Sequence, residues 1–260
     1  MTCQDVIKKL EELSPVKYAS DWDNVGLLAG RRDKEVSSVY IALDATEEVI
    51  DRAVSLGTDM IITHHPMIFS AIKRVCNDDF IGRKVIKLIR HDVCLYAMHT
   101  NFDVMGMADA CADELGLKKC SVLMTTYEDD ISKEGFGRVG KLPQIMTLRE
   151  CAAHVKKHFR LAHVNVFGDP EQVVEQAAIC PGSGKSMAGD AIRAGADVYI
   201  TGDIGHHDGL DMVEQGMAVI DAGHFGIEKI FIPYMTEYLQ RELPELRTVC
   251  HPIKEPSFIM

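Results

Sequence analysis

Histidines and carboxylates recur in this 260-residue chain where apolar runs stop. In IITHHPMIF (61–69), the adjacent His64 and His65 follow a strand-like run that Pro66 ends. In a continuing strand, neighbouring side chains point to opposite faces. At a carboxyl end where the chain turns, both can face one crevice, and α/β sheets keep their ligand sites there. AMHTNFDVM (97–105) offers His99 and Asp103 at a second such end. DAGHFGIEKIF (221–231) offers a third, because the strand stops at Gly223 and a helix should then carry His224 and Glu228. Residues at i and i+4 share one helix face, which makes this pair a two-ligand grip on a metal. Any one of these stretches has an ordinary explanation as a surface loop or a helix contact. Three of them, each joining imidazole or carboxylate donors at a strand end, point to a metal centre.

Imidazole with carboxylate suits zinc, iron, manganese, cobalt or nickel, and the absence of a thiolate cluster argues against a structural zinc site. Five ligands, His64, His65, Asp103, His224 and Glu228, are too many for one open catalytic ion. With Glu228 bridging, they suit two divalent ions roughly 3.5–4 Å apart, the spacing of hydrolytic dinuclear sites.

The elements that would position these residues alternate along the chain. Candidate strands are VSSVYIALD (36–44), TDMIIT (58–63), VCLYAM (93–98), HVNVFG (163–168), QAAIC (176–180), ADVYIT (196–201) and MAVIDA (217–222). Amphipathic stretches such as EEVIDRAVSLG (47–57), FIGRKVIKLIRH (80–91) and GDAIRAGA (189–196) lie between them. This order predicts βαβ units and an α/β fold with largely parallel sheets. GTDMIIT (57–63) and GADVYIT (195–201) share Gly, Asp, Ile and Thr, and each is preceded by a strand and a helix and followed by a strand. The repeat predicts two similar lobes, about 1–124 and 125–260, with the acidic, Gly-containing TTYEDDISKEGFG (125–137) as the connection.

Composition narrows the setting. The chain is 47% hydrophobic with a formal charge of −11, so its surface repels phosphate backbones and nucleic acid is not an expected partner. No apolar run approaches the length of a membrane span. The opening MTCQDVIKKLEEL reads as an amphipathic helix and lacks the apolar region of a signal peptide. The eight cysteines form no CxxC pair, which suits reduced thiols and predicts a cytoplasmic protein.

Two glycine motifs need weighing. GFGRVG (135–140) satisfies G-x-G-x-x-G, but an acidic loop precedes it and KLPQ follows, so a turn or packing role is expected instead of a dinucleotide site. CPGSGKSM (180–187) follows a strand, yet the first glycine of a P-loop would have to stand at Ile179. Its backbone could still hold an anionic substrate group, with Ser183, Lys185 and Ser186 as helpers. His206 and His207 in GHHD occupy another strand end and are candidates for proton transfer or substrate contact. Trp22, the sole tryptophan, is expected to pack beneath the site.

Seven stretches in order, DWDNVGLLAG (21–30), THHP (63–66), HTNFD (99–103), GFGRVGKL (135–142), GSGKSM (182–187), TGDIGHHD (201–208) and DAGHFGIE (221–228), resemble the GTP cyclohydrolase 1 type 2 homolog family, the Nif-three-like proteins. The resemblance covers essentially the whole chain. It implies two similar α/β lobes with a dinuclear metal site in the cleft between them, assembled as a homohexamer built from dimers. It also implies that His64, Asp103 and Glu228 hold one metal, and that His65, His224 and Glu228 hold the second. Some relatives carry a long insertion between the halves, and this chain has the short form.

The function expected is that of a metal-dependent hydrolase acting on a small molecule, with GTP suggested by the family name alone, since nothing in the sequence reads a guanine base. The alternative is a non-catalytic metal-binding, metal-delivery or interaction protein. The discriminating feature is an open coordination position, which a hydrolase needs and a structural site lacks.

Overall fold

The computed structural model describes residues 1–257, which form two compact units. Unit 1 comprises Met1–Phe102 and Phe231–Ile253, and unit 2 comprises Asp103–Ile230 with the residues from Lys254 onward.

Unit 1 is built on β2 (Ser38–Ala42), β3 (Met60–Thr63) and β4 (Cys94–Ala97), all parallel. Their sequences SVYIA, MIIT and CLYA are buried at every position, as in a parallel sheet covered on both faces. β1 (Gly26–Ala29) pairs antiparallel with β4 at one edge, and β11 (Arg247–Cys250) pairs parallel with β2 at the other. The helices are α1 (Cys3–Leu13), α2 (Glu47–Ser55), α3 (Phe80–Arg90), the short α4 (Thr100–Phe102) and, late in the chain, α10 (Phe231–Glu242). Thr2 and Asp5 start α1 as a reciprocal capping box, and the Thr46 hydroxyl caps α2 by accepting from the Val49 N–H. Val49, Ile50, Val85 and Leu88 from the helices meet Tyr40, Ile61 and Leu95 from the sheet. Burial of each such side chain contributes about 1.5–3 kcal/mol. The Tyr238 hydroxyl of α10 donates to the Lys9 carbonyl at 2.6 Å, so a helix and strand from the far end of the chain complete unit 1.

Unit 2 holds a six-stranded sheet in the order β5-β6-β8-β9-β10-β7. Its strands are β5 (Lys118–Glu128), β6 (Lys133–Thr147), β7 (Asn165–Phe167), β8 (Val173–Ile179), β9 (Val198–Thr201) and β10 (Ala218–Asp221). Its helices are α5 (Ala108–Leu115), α6 (Leu148–His158), α7 (Ala188–Arg193), α8 (His206–Glu214) and α9 (His224–Glu228). This sheet is mixed and not largely parallel, because only β8, β9 and β10 run parallel while the β5–β6 hairpin and β7 are antiparallel. Most of the stretch 125–137, expected as a connection, lies inside this hairpin. Among the described residues, no helix is long and apolar enough to cross a membrane.

The sequence repeat has a physical basis that is the same in each unit. Gly57 and Gly195 end their helices at φ +63° and +73°, a conformation in which a side chain is strained. Two residues later an aspartate reaches back to two successive backbone N–H groups at or in the preceding strand. Asp59 Oδ2 accepts from the Ser37 and Ser38 N–H groups at 2.9 and 3.1 Å and from both serine hydroxyls. Asp197 Oδ2 accepts from the Glu175 and Gln176 N–H groups, each at 2.8 Å. Burial alone would push the Asp59 carboxyl up, but the hydrogen bonds from Ser37 and Ser38 hold it below the usual carboxylate range. A carboxyl lowered on folding stabilises the fold above its unfolded pKa of about 3.9 and loses that contribution as pH falls further. Urea midpoints measured from pH 6 downward should therefore drop in acid, and Asp59→Asn should be less stable at neutral pH with a flatter acid dependence.

GFGRVG is part of β6, which removes the strand–turn–helix context a dinucleotide site needs. Its Arg138 is buried and acts as a structural tie within unit 2. The guanidinium donates to Asp109 Oδ1 and Oδ2 at 2.5 and 2.7 Å and to the Gly135 and Gly137 carbonyls at 3.0 and 2.9 Å. Arg138→Met should cost about 2–4 kcal/mol in urea denaturation, because the two carbonyls would stay buried without their donor.

Candidate metal centre

In unit 1 the strand ends deliver three imidazoles. Residues His64 and His65 follow directly on β3, and Met98 and His99 on β4. The Met98 N–H donates to the Thr63 carbonyl at 2.9 Å, continuing the strand pairing, and the Met98 carbonyl accepts from His64 Nδ1 at 2.8 Å. A carbonyl can only accept, so His64 carries its proton on Nδ1 and presents the lone pair of Nε2. His65 Nδ1 meets Asp44 Oδ1 at 2.8 Å, and His99 Nδ1 meets Asp23 Oδ1 at 2.9 Å, which favours the same tautomer in both rings. The three rings stand 4.9–5.6 Å apart by centroid. One ring nitrogen from each lies within 4.8 Å of the others.

Asp23 is the anchor of this cluster. Besides His99 it accepts from the Thr100 N–H and hydroxyl, at 3.0 and 2.5 Å. Burial pushes its carboxyl up, but the hydrogen bonds from His99 and Thr100 together outweigh burial and bring it down to about 2.

In unit 2, β10 ends at Asp221, whose carboxylate accepts from the Gly223 and Ile204 N–H groups at 2.9 and 3.1 Å and shapes the turn into α9. The helix places His224 and Glu228 one turn apart, with His224 Nε2 at 2.9 Å from Glu228 Oε2. His224 Nδ1 meets Asp203 Oδ2 at 2.8 Å. Both ring nitrogens thus face carboxylates, and a neutral imidazole has one N–H to offer. One of the two contacts is therefore completed only by a positive charge between nitrogen and carboxylate, whether a further proton or a metal ion. Glu228 is 3% exposed, and its Oε1 sits where a Cβ on Gly182 would fall, at 2.3 Å. The loop after β8 therefore cradles this carboxylate by having no side chain at that point. Asp103 lies in a π-helical turn, Asp103–Met107, at the entry to α5, a local form frequent at functional sites. Burial, then the charges of Glu228 and Asp103, push the buried Cys111 thiol well above its ordinary range. Burial first, then the charges of Asp103 and Glu228, take the Cys180 thiol to about 12. Asp103 and Glu228 each offer a carboxylate oxygen within 4.8 Å of the other.

The remaining sequence candidates are placed as follows. His206 and His207 open α8, both exposed, with rings edge to face at 5.2 Å. Lys185 is tied to Asp208 at 2.8 Å. Ser183 precedes a single 3₁₀ turn, Gly184–Met187, that contains Ser186, and the Gly184 N–H already donates to Thr201 Oγ1. Trp22 does not pack beneath the cluster as expected, since it is 67% exposed and touches His99 edge-on. The supporting residues Asp23, Asp44 and Asp203 carry little signal in the sequence. The signal available for Asp44 and Asp203 was an aspartate at the end of the runs IALD and ITGD.

A sequence profile of the Duf34/NIF3 (NGG1p interacting factor 3) family matches residues 1–256. The chain is 36% identical over 245 residues to the "GTP cyclohydrolase 1 type 2 homolog" of Clostridium perfringens, covering 94% of this chain and 93% of that one. Among solved structures, Staphylococcus aureus protein SA1388 superposes with a TM-score of 0.89 at 30% identity, covering 100% of this chain and 99% of that chain. Reduced HcgD from Methanocaldococcus jannaschii is also 30% identical, with a TM-score of 0.82 and 96% and 97% coverage.

Proposed function

The chain belongs to the Duf34/NIF3 family, and from that premise we propose that it is a metal-dependent hydrolase whose His64, His65, Asp103, His224 and Glu228 hold two divalent transition-metal ions. One observation carries this reading: four imidazoles, of His64, His65, His99 and His224, each have Nδ1 held by a carbonyl or carboxylate at 2.8–2.9 Å. That is how metal-binding histidines are oriented, since the outer partner fixes the ring and leaves Nε2 as donor to the ion. The donor set of imidazole and carboxylate fits zinc, iron, manganese, cobalt or nickel.

When bound, such ions supply Lewis acidity toward a substrate oxygen and make water more acidic. The chain's own residues do the rest. Asp44 and Asp203 hold His65 and His224 in orientation, while His206 and His207 are available to move protons. His64 and Glu228 are buried, whereas the side chains of His65 and His224 are 16% and 34% exposed, so each of these two imidazoles can be reached by a small molecule. That openness favours the hydrolase over a closed structural site. The relatives' name puts purine nucleotides first among substrates, and the free thiols fit the reducing cytoplasm.

The test is elemental analysis of the full chain purified without chelator or nickel resin, followed by hydrolysis assays on GTP and a model phosphoester with added zinc, manganese or iron. About two ions per chain and metal-dependent turnover are expected. Absence of metal after reconstitution would overturn the site, and metal without turnover would overturn the hydrolase and leave a metal carrier.

A further inference from the structure

Two large aromatic rings stand in solvent beside the histidine cluster of unit 1. Trp22 is 67% exposed and Phe69 is 56% exposed. Each meets His99 edge-on, Trp22 with centroids 5.9 Å apart at 77° and Phe69 at 5.8 Å and 88°. Exposing a Trp and a Phe against one imidazole is costly in water, and such a placement marks a surface that something covers.

The loops that carry these rings are also tied in place. Trp22 precedes Asp23, which is locked to His99 and to Thr100, and the Asn24 N–H donates to Asp23 Oδ1 at 2.8 Å. The Asn24 side-chain amide donates to the Ile68 carbonyl at 2.7 Å, tying the loop that carries Trp22 to the residue just before Phe69. Two loops are therefore joined so that both aromatics border the same imidazole. His99 in turn faces His64 and His65 at 5.2 and 5.6 Å.

We propose that Trp22 and Phe69 form a stacking clamp for a planar heteroaromatic ring, which they hold beside His99 at the edge of the metal centre. The proposal rests on the metal-site reading for its purpose and supplies a substrate class to it. A flat ring covers the exposed aromatic faces at little entropic loss, because the clamp is already in position. Stacking tolerates any planar base, so the clamp selects for planarity and leaves discrimination among bases to other contacts.

Trp22 is the sole tryptophan, and its emission therefore reports this position alone. The full chain is titrated with guanosine, a planar probe, and with ribose, a non-planar one. Guanosine should quench the emission saturably while ribose leaves it unchanged. Calorimetry should show guanosine bound about 10-fold more weakly by Phe69→Leu and by Trp22→Leu. Zinc content at the parent level in both variants would separate loss of the clamp from loss of the metal centre. Failure of the metal-site reading would instead appear as missing zinc with guanosine quenching intact. Equal responses to guanosine and ribose, or parent affinity in both variants, would overturn the clamp. So would a change in sedimentation with guanosine affinity unaltered, which would assign the rings to contact with another copy of the chain.

Discussion

A chain carrying Glu228→Gln is expected to leave purification with metal at neither position, whereas His64→Ala should lose one ion and retain the other. The family resemblance gives Glu228 to both ions, and its surroundings leave its oxygens hard to replace. Oε2 stands 2.9 Å from His224 Nε2, and Oε1 lies in the cradle at Gly182. Glutamine keeps the volume but removes the charge and turns one ligand atom into an NH₂ donor. Affinity at both positions should fall by at least about 100-fold, the upper end of what even an outer-sphere substitution costs. Elemental analysis of the two variants beside the parent decides the point. Parent-level metal in Glu228→Gln would remove the carboxylate from the site.

Gly182→Ala is expected to damage the same carboxylate without altering any ligand. The added Cβ would fall 2.3 Å from Glu228 Oε1, which has no room to retreat in a side chain that is 3% exposed. The backbone there is also at φ +69°, where alanine is strained by about 1 kcal/mol. Zinc titration should show affinity lowered by about 100-fold, and urea denaturation should show a loss of roughly 2–4 kcal/mol from strain and overpacking together. Gly182→Ala with parent affinity would mean that Glu228 can swing to a second position and keep its hold.

Much of the architecture could be read from sequence because buried parallel strands announce themselves. SVYIA, MIIT, CLYA, VYIT and AVID are short, apolar and bounded by turn residues. Residues 125–137 look like a connection, although they lie in the β5–β6 hairpin, because the signals of the hairpin conflict. Gly135, Gly137 and Gly140 look like a turn, and Pro143 looks like a strand breaker. Pro143 is tolerated because it falls in the gap between Lys141 and Met146 where the pairing with β8 is interrupted. β11 was missed because its partner β2 lies some two hundred positions earlier, and no local pattern encodes such a pairing.

The candidate site was legible in a different way. His64, His65, His99, Asp103, His224 and Glu228 could be picked out because their residue types are unusual at strand ends. Their orienting partners could not. The Met98 carbonyl is a backbone group with no sequence signature, and Asp23 reaches His99 across 76 residues. The ordinary behaviour of tryptophan points to Trp22 packing beneath the cluster, yet its neighbour Asp23 holds the loop and the indole is 67% exposed.

The aspartate that anchors each repeat has a consequence for how such a chain can change over generations. Asp59 and Asp197 each tie the strand that follows them to the strand before, so the two positions beyond the following strand occupy corresponding places in the two repeats. One repeat fills them with His64 and His65, the other with Gly202 and Asp203. An ancestral module copied within one gene could thus diversify, one copy acquiring imidazoles and its twin a carboxylate that steadies an imidazole elsewhere. Neither copy would have to give up the hydrogen bonds that make it fold.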